Sequence, residues 1–206
     1  MKTLLQLNSS LFSGNGQSSR LSNDFVAAWR AANPDGKVVV RDLAANPVPH
    51  LDGERFGAFL AKPEERTAQQ QAVVDFSDAL IDEIRNADVI AIGLPMYNFG
   101  IPSTLKAYFD HIARAGVTFR YTANGPVGLL GGKKVYVFAA RGGLYQGTPL
   151  DTQTGYVRDF LAFIGLTDVE FVYAEGLAMG EEPKKAALEK AENAIRQLAA
   201  PLAAVA

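Results

Sequence analysis

Asp88-Val89-Ile90-Ala91-Ile92-Gly93-Leu94, followed at once by Pro95-Met96-Tyr97-Asn98-Phe99-Gly100-Ile101-Pro102-Ser103, decides the fold of this chain. After its leading aspartate the first run has no polar position, so as a strand it has no face for water. Helices must cover both sides, as they do for an inner strand of a parallel sheet. Working outward, Thr3 to Leu7 and the β-branched run Val38, Val39, Val40 read as two earlier strands, and Lys134 to Ala140 as a later one. In a fifth strand Val169, Phe171 and Tyr173 share one face and Glu170 takes the other, the alternation of a strand nearer an edge. Between the strands, apolar residues return at helical spacing: Leu21, Phe25, Ala28 and Ala32; Val73, Phe76, Leu80 and Ile84; Leu105, Tyr108, Phe109 and Ile112 behind a capping Ser103; Gly155 to Ile164; and Leu188, Ala191, Ile195, Leu198 and Leu202. Strands alternating with helices through right-handed crossovers give an α/β, doubly wound, five-stranded parallel sheet, expected as a single domain over residues 1–206. Two connections, Ala44 to Arg66 and Gly116 to Gly132, are long enough to be lids or interface elements, and plain surface insertions fit them equally well.

Composition narrows the chemistry. With 206 residues, 48% hydrophobic, and a formal charge of −2, the chain can bury one sizeable core. The apolar runs fall far short of a membrane span, and Met1-Lys2-Thr3 does not open a signal peptide, so a cytoplasmic protein without a membrane partner is expected. The absence of cysteine removes disulfides, thiol nucleophiles, iron–sulfur clusters and thiolate zinc sites, and no His/Asp/Glu set has metal-ligand spacing. No Lys/Arg stripe suggests nucleic acid. Redox chemistry would have to come from a bound cofactor.

In open parallel sheets ligands sit beyond the carboxyl ends of the strands where strand order reverses, which for the order 2-1-3-4-5 lies between strands one and three, flanked by strand four. Three loops therefore matter. Asn8 to Ser19 carries Ser9, Ser10, Ser13, Gly14, Gly16, Gln17, Ser18 and Ser19 and then opens a helix, so unpaired N–H groups, a positive dipole end and hydroxyls can hold a phosphate without Lys or Arg. A polar loop ending in a capping serine is the plainer alternative. Gly14, Gly16 and Ser19 also fall one glycine short of a dinucleotide fingerprint, with Asp42 at the end of strand two as a ribose ligand, but a terminal monophosphate fits the longer loop better. Pro95 to Pro102, held between prolines, offers Met96, Tyr97 and Phe99 for a flat ring and successive N–H groups for its edge. Arg141-Gly142-Gly143 lets backbone approach closely and brings a cation near.

Together these segments resemble the FMN-dependent NADH-azoreductase and NAD(P)H quinone oxidoreductase family, which is flavodoxin-like. The resemblance extends through Arg41-Asp42-Leu43, Leu105-Lys106, Ala113 to Tyr121, Gly125-Pro126, Gly131, Lys133 and Phe163-Ile164-Gly165. It implies an FMN flavoprotein oxidoreductase with one noncovalent FMN per subunit, NADH or NADPH as donor, quinones and azo compounds as acceptors, and a homodimer. By motif, Ser10, Gly16, Gln17 and Ser18 would hold the phosphate. Met96, Tyr97, Asn98 and Phe99 would hold the ring, with Ala140, Arg141, Gly142 and Gly143 along its pyrimidine edge. Tyr121, Phe163 and Tyr173 of one subunit would lie near the flavin of the other. Gly16 and Ala140 stand where the family often carries Ser.

No side chain is needed as acid or base, since the chemistry would lie on FMN. His50 and His111 read as structural, and Glu64-Glu65-Arg66 and Glu181-Glu182 with Lys184-Lys185 as solvated helix ends. The fourth helix is apolar on two faces, Val157/Leu161/Ile164 and Tyr156/Phe160/Phe163, the second of which is expected to need a partner subunit. A noncatalytic electron carrier like flavodoxin is the competing reading, disfavoured by the balance of 22 acidic to 20 basic residues. A pyridine-nucleotide module without flavin is a further alternative.

Overall fold

The computed structural model describes residues 1–203, with side chains through Leu198. Its sheet contains β1 (Thr3–Asn8), β2 (Lys37–Asp42), β3 (Val89–Pro95), β6 (Lys134–Ala140) and β7 (Asp168–Ala174), all parallel, in the order β2-β1-β3-β6-β7. Counting main strands alone, this is the order 2-1-3-4-5. Every residue of β3 is buried. Its alternate side chains go to opposite layers: Ile90, Ile92 and Leu94 join the core under α3 (Ala68–Arg85), α4 (Ser103–Ile112) and α5 (Thr152–Phe163), while Val89 and Ala91 join that under α1 (Gln17–Ala32) and α6 (Glu181–Ala203). Trp29 anchors the second layer beneath Gly36, where a Cβ would come within 2.5 Å of its ring. The side chain of Leu202 lies outside the described residues.

Both long connections contain structure that the sequence reading left open. Residues 44–66 carry α2 (Gly53–Leu60), whose N-cap Asp52 accepts the Arg55 N–H at 2.8 Å, and a 3₁₀ turn, Pro63–Glu65. Residues 116–132 carry the antiparallel hairpin β4 (Phe119–Thr122) and β5 (Gly125–Gly128), pressed onto α5 so closely that a Cβ at Gly128 would fall 2.0 Å from the Gly165 nitrogen. Ser103 is not a cap. It is the first residue of α4, and the Pro102 carbonyl accepts the Leu105 and Lys106 N–H groups, so the turn is set without a side-chain oxygen.

The helix read over Gly155–Ile164 begins earlier, at Thr152, because Asp151 caps it by accepting the Thr154 N–H at 3.1 Å. Its second apolar face is partly covered by its own chain: Phe160 stacks on Phe109 at 4.0 Å and Phe163 packs on Phe119 at 4.2 Å, both staying half-buried, while Tyr156 is exposed. Intrachain packing thus accounts for part of that face and leaves the Tyr156 end open.

Candidate functional site

Strand order reverses between β1 and β3, so the loops that leave them diverge and open a crevice at their carboxyl ends. Ser9 closes its base by donating Oγ to the Gly93 carbonyl at 2.7 Å. Ser10 is buried. Its Oγ accepts the Phe12 N–H at 3.2 Å and lies 3.4 Å from the Tyr97 hydroxyl, whose oxygen also accepts the Leu11 N–H at 3.3 Å. Gly16 precedes α1, and a Cβ there would sit 2.0 Å from Ser10 Oγ and 2.6 Å from its Cβ. A serine at that position would have to displace Ser10, so the glycine is part of how this loop closes.

Beyond Gly16 the first helical hydrogen bond runs from the Arg20 N–H to the Gly16 carbonyl, leaving the N–H groups of Gln17, Ser18 and Ser19 without helical acceptors. The hydroxyls of Ser18 and Ser19 are buried and have no partner among the described residues. A buried polar group left unpaired costs about 1–3 kcal/mol. A phosphate at this helix terminus would satisfy both kinds of group, and the dipole favours it. Ser10, Gly16, Gln17 and Ser18 are thus brought together on a surface that fits the phosphate of FMN. Ser19, which the family resemblance does not place at the phosphate, adds a further free N–H group and hydroxyl.

The loop after β3 is tightly closed. Tyr97 and Gly100 exchange N–H and carbonyl at 3.1 and 3.0 Å, and Asn98 (φ 51°) and Phe99 (φ 66°) both take left-handed backbone that side chains rarely adopt. Each such residue costs about 1–3 kcal/mol and persists only where its surroundings enforce it. Here α5 does so: Gln153, fully buried, donates Nε2 to the carbonyls of Pro95 at 2.7 Å and Gly100 at 3.1 Å, and the Thr152 hydroxyl donates to that of Phe99. The expectation that successive N–H groups face a ring edge narrows, because those of Met96 and Tyr97 are bonded to Ala140 and Gly100. Those of Asn98 and Phe99 remain.

Gly142 and Gly143 are held from behind, their carbonyls accepting the N–H groups of Ala178 and Gly176, each at 3.0 Å. Their own N–H groups donate to no acceptor among the described residues. A Cβ at Gly143 would lie 2.8 Å from the Tyr145 ring, which meets Phe99 edge-on at 5.7 Å. Ala140 is buried, and its carbonyl holds Met96.

Arg141 departs from expectation. Its side chain is turned inward and fully buried, with Nη1 3.1 Å from Glu175 and Nη2 2.9 Å from Asp151, so its charge is neutralised within the protein and is not presented to the crevice. Burial alone would raise the Asp151 carboxyl, but hydrogen bonds from Arg141 and Thr154 outweigh it and hold it below the ordinary carboxylate value.

The three residues expected beside a substrate do not line this crevice together. The Tyr173 hydroxyl pairs with Thr154 Oγ1 at 3.0 Å under the Arg141 guanidinium, and burial raises its pKa. Phe163 lies ten residues along α5 from Gln153, about 15 Å at the helical rise. It shares Phe119 with Tyr121, which is 75% exposed. Tyr121 and Phe163 are therefore set apart from the crevice of their own chain. Asp42 serves its own turn through Oδ1, which accepts the Ala44 and Ala45 N–H groups at 2.9 and 3.2 Å. His111 is buried between Phe59 and Phe76, its Nδ1 3.0 Å from the Ala107 carbonyl, and His50 is exposed on the excursion between β2 and α2. Among the described residues no group of three or more His, Cys, Asp or Glu could hold a metal ion, and no helix is long and apolar enough to cross a membrane.

Comparison with known proteins agrees with this geometry. Residues 1–199 match the family model described as flavodoxin-like fold. An FMN-dependent NADH:quinone oxidoreductase of Cellvibrio japonicus is 60% identical over 192 residues, 93% of this chain and 96% of the relative. FMN-dependent NADH:quinone oxidoreductase 6 of Burkholderia lata is 58% identical over 195 residues, 95% of this chain and 98% of the relative. Among solved structures, an FMN-dependent NADH-azoreductase of Bacillus anthracis in complex with FMN superposes with a TM-score of 0.85 at 27% identity, covering 97% of this chain and all of the other. The azoreductase AzrA superposes with a TM-score of 0.88 at 28% identity, covering 96% and 98%.

Proposed function

Because the chain belongs to the flavodoxin-like family of FMN-dependent NADH:quinone oxidoreductases, we propose that it reduces quinones, and azo compounds as further acceptors, with NADH or NADPH as donor and one noncovalent FMN per subunit. The observation that carries this reading is the start of α1. Unpaired N–H groups and buried, partnerless hydroxyls at Ser18 and Ser19 converge there beside two rigid loops whose free N–H groups come from Asn98, Phe99, Gly142 and Gly143. FMN held there would supply two-electron hydride chemistry between the nucleotide and the acceptor.

The residues of the chain have a holding role. Ser10, Gly16, Gln17 and Ser18 would bind the phosphate; Met96, Tyr97, Asn98 and Phe99 would orient the ring; and the backbone from Ala140 to Gly143 would face its pyrimidine edge, where the free N–H groups of Gly142 and Gly143 would favour the negative charge that reduction brings. Exposed Phe99, Leu144 and Phe12 rim the crevice with apolar surface on which one planar substrate can stack at a time. Donor and acceptor then alternate, a ping-pong order that needs no side-chain acid or base. A homodimer, in which Tyr121 and Phe163 of one copy approach the crevice of the other, accounts for their distance from the crevice of their own chain and for the exposure of Tyr121. The protein works in the cytoplasm. Steady-state kinetics with NADH and a soluble quinone test the proposal: parallel double-reciprocal lines are expected, and intersecting lines or a lack of FMN-dependent turnover would overturn it.

A further inference from the structure

Arg141 presents no charge to the crevice, yet its guanidinium joins the segments that shape it. Nη1 meets Glu175 Oε1 at 3.1 Å, and the same oxygen accepts the N–H groups of Tyr145 and Gln146 at 3.0 Å each, which fixes the loop after β6. Nη2 meets Asp151 Oδ1 at 2.9 Å and Thr154 Oγ1 at 3.0 Å, which fixes the start of α5, and the cation lies 5.0 Å from the centre of the Tyr173 ring. The next residues of α5, Thr152 and Gln153, hold the carbonyls of Pro95, Phe99 and Gly100 and so hold Asn98 and Phe99 in their left-handed backbone. One buried, planar cation thereby spans two carboxylates and sets the distance between the Asn98–Phe99 donors and the Gly142–Gly143 donors.

Resting on the flavin reading above, we propose that Arg141 is a positioning residue that sets the fit of the isoalloxazine edge without contacting it through its side chain. Lysine keeps the charge, but its single ammonium cannot reproduce the fork that reaches both carboxylates. The phosphate nest on α1 lies outside this network, so the effect should fall on the ring.

The test titrates apoprotein with FMN and with riboflavin, following flavin fluorescence and the visible spectrum of the bound form. Arg141→Lys should weaken both flavins by the same factor, about tenfold for one lost charge-assisted hydrogen bond, and move the bound spectrum towards that of free flavin. Ser18→Ala should weaken FMN alone. A folded Arg141→Lys protein that binds both flavins with unchanged affinity and spectrum, or that loses FMN alone, would overturn the inference. If Arg141→Lys does not fold, Asp151→Asn, which keeps an acceptor for Thr154 and loses one charge, is judged by the same criteria. Wild-type protein that binds neither flavin would overturn the flavin reading, and the inference with it.

Discussion

Replacing Ser18 by alanine should move two quantities in opposite directions. In the free protein the Ser18 hydroxyl is buried and unpartnered at the first turn of α1, so its removal relieves an unpaired polar group. That relief is about 1 kcal/mol at the low end of the ordinary range, equivalent to a rise in melting temperature of roughly 2–4 °C for a chain of this size. When the phosphate of FMN is bound, the same hydroxyl donates to a dianion, and such hydrogen bonds contribute about 1.5–3 kcal/mol, so the dissociation constant for FMN should rise roughly ten- to a hundredfold. Calorimetric melting of apoprotein and fluorescence titration with FMN and riboflavin measure the two effects, with riboflavin as the control that has no phosphate. Ser18→Ala apoprotein that melts lower than wild type while binding FMN equally well would refute the reasoning, because the hydroxyl would then serve the fold and not the ligand.

A bulky side chain at Gly143, as in Gly143→Val, would start 2.8 Å from the Tyr145 ring and push the third loop off its place, so the purified protein should carry little FMN by absorbance while melting as one unit. Burial holds the His111 imidazole below its ordinary pKa. As pH falls through about 6.5 the unfolded chain therefore takes up the proton first, and stability present above that value is lost below it. Urea midpoints should fall between pH 7.5 and 6 in wild type and stay level in His111→Leu, and both His111→Leu and His50→Ala should keep most of their turnover. Light scattering beside turnover should find a dimer, with Tyr121→Ala lowering turnover but not FMN content; a fully active monomer would contradict the shared pocket.

The parts of this structure that sequence reveals are those in which one residue type can have only one explanation. An unbroken apolar run such as Val89 to Leu94 has no solvent face, which places it in the interior of a parallel sheet and places the loop that follows it at the crevice. Serines and glycines ahead of the Leu21/Phe25 face announce a helix start with free donors, and the same donors now stand unpartnered in the fold. The hairpin β4–β5 was hidden because its strands have four residues each and include Gly125, Pro126 and Gly128, too short and irregular for a period of two. Gln153 and Thr152 fall ahead of the helix read from Gly155, and nothing in the sequence ties them to the carbonyls they bind, which lie more than fifty residues away. Arg141 misled for the same reason: a cation next to two glycines suggests a ligand, and only the arrival of Asp151 and Glu175 from other elements shows the charge to be neutralised inside.

The visible spectrum of FMN-reconstituted protein, recorded without oxygen through successive additions of NADH and a quinone, tests the central claim most directly. A yellow protein with about one acid-releasable FMN per chain should bleach on NADH and recover its colour on quinone, with one nucleotide consumed for each quinone. A protein that takes up no FMN, or one that bleaches and is not recoloured by the quinone, would contradict the account.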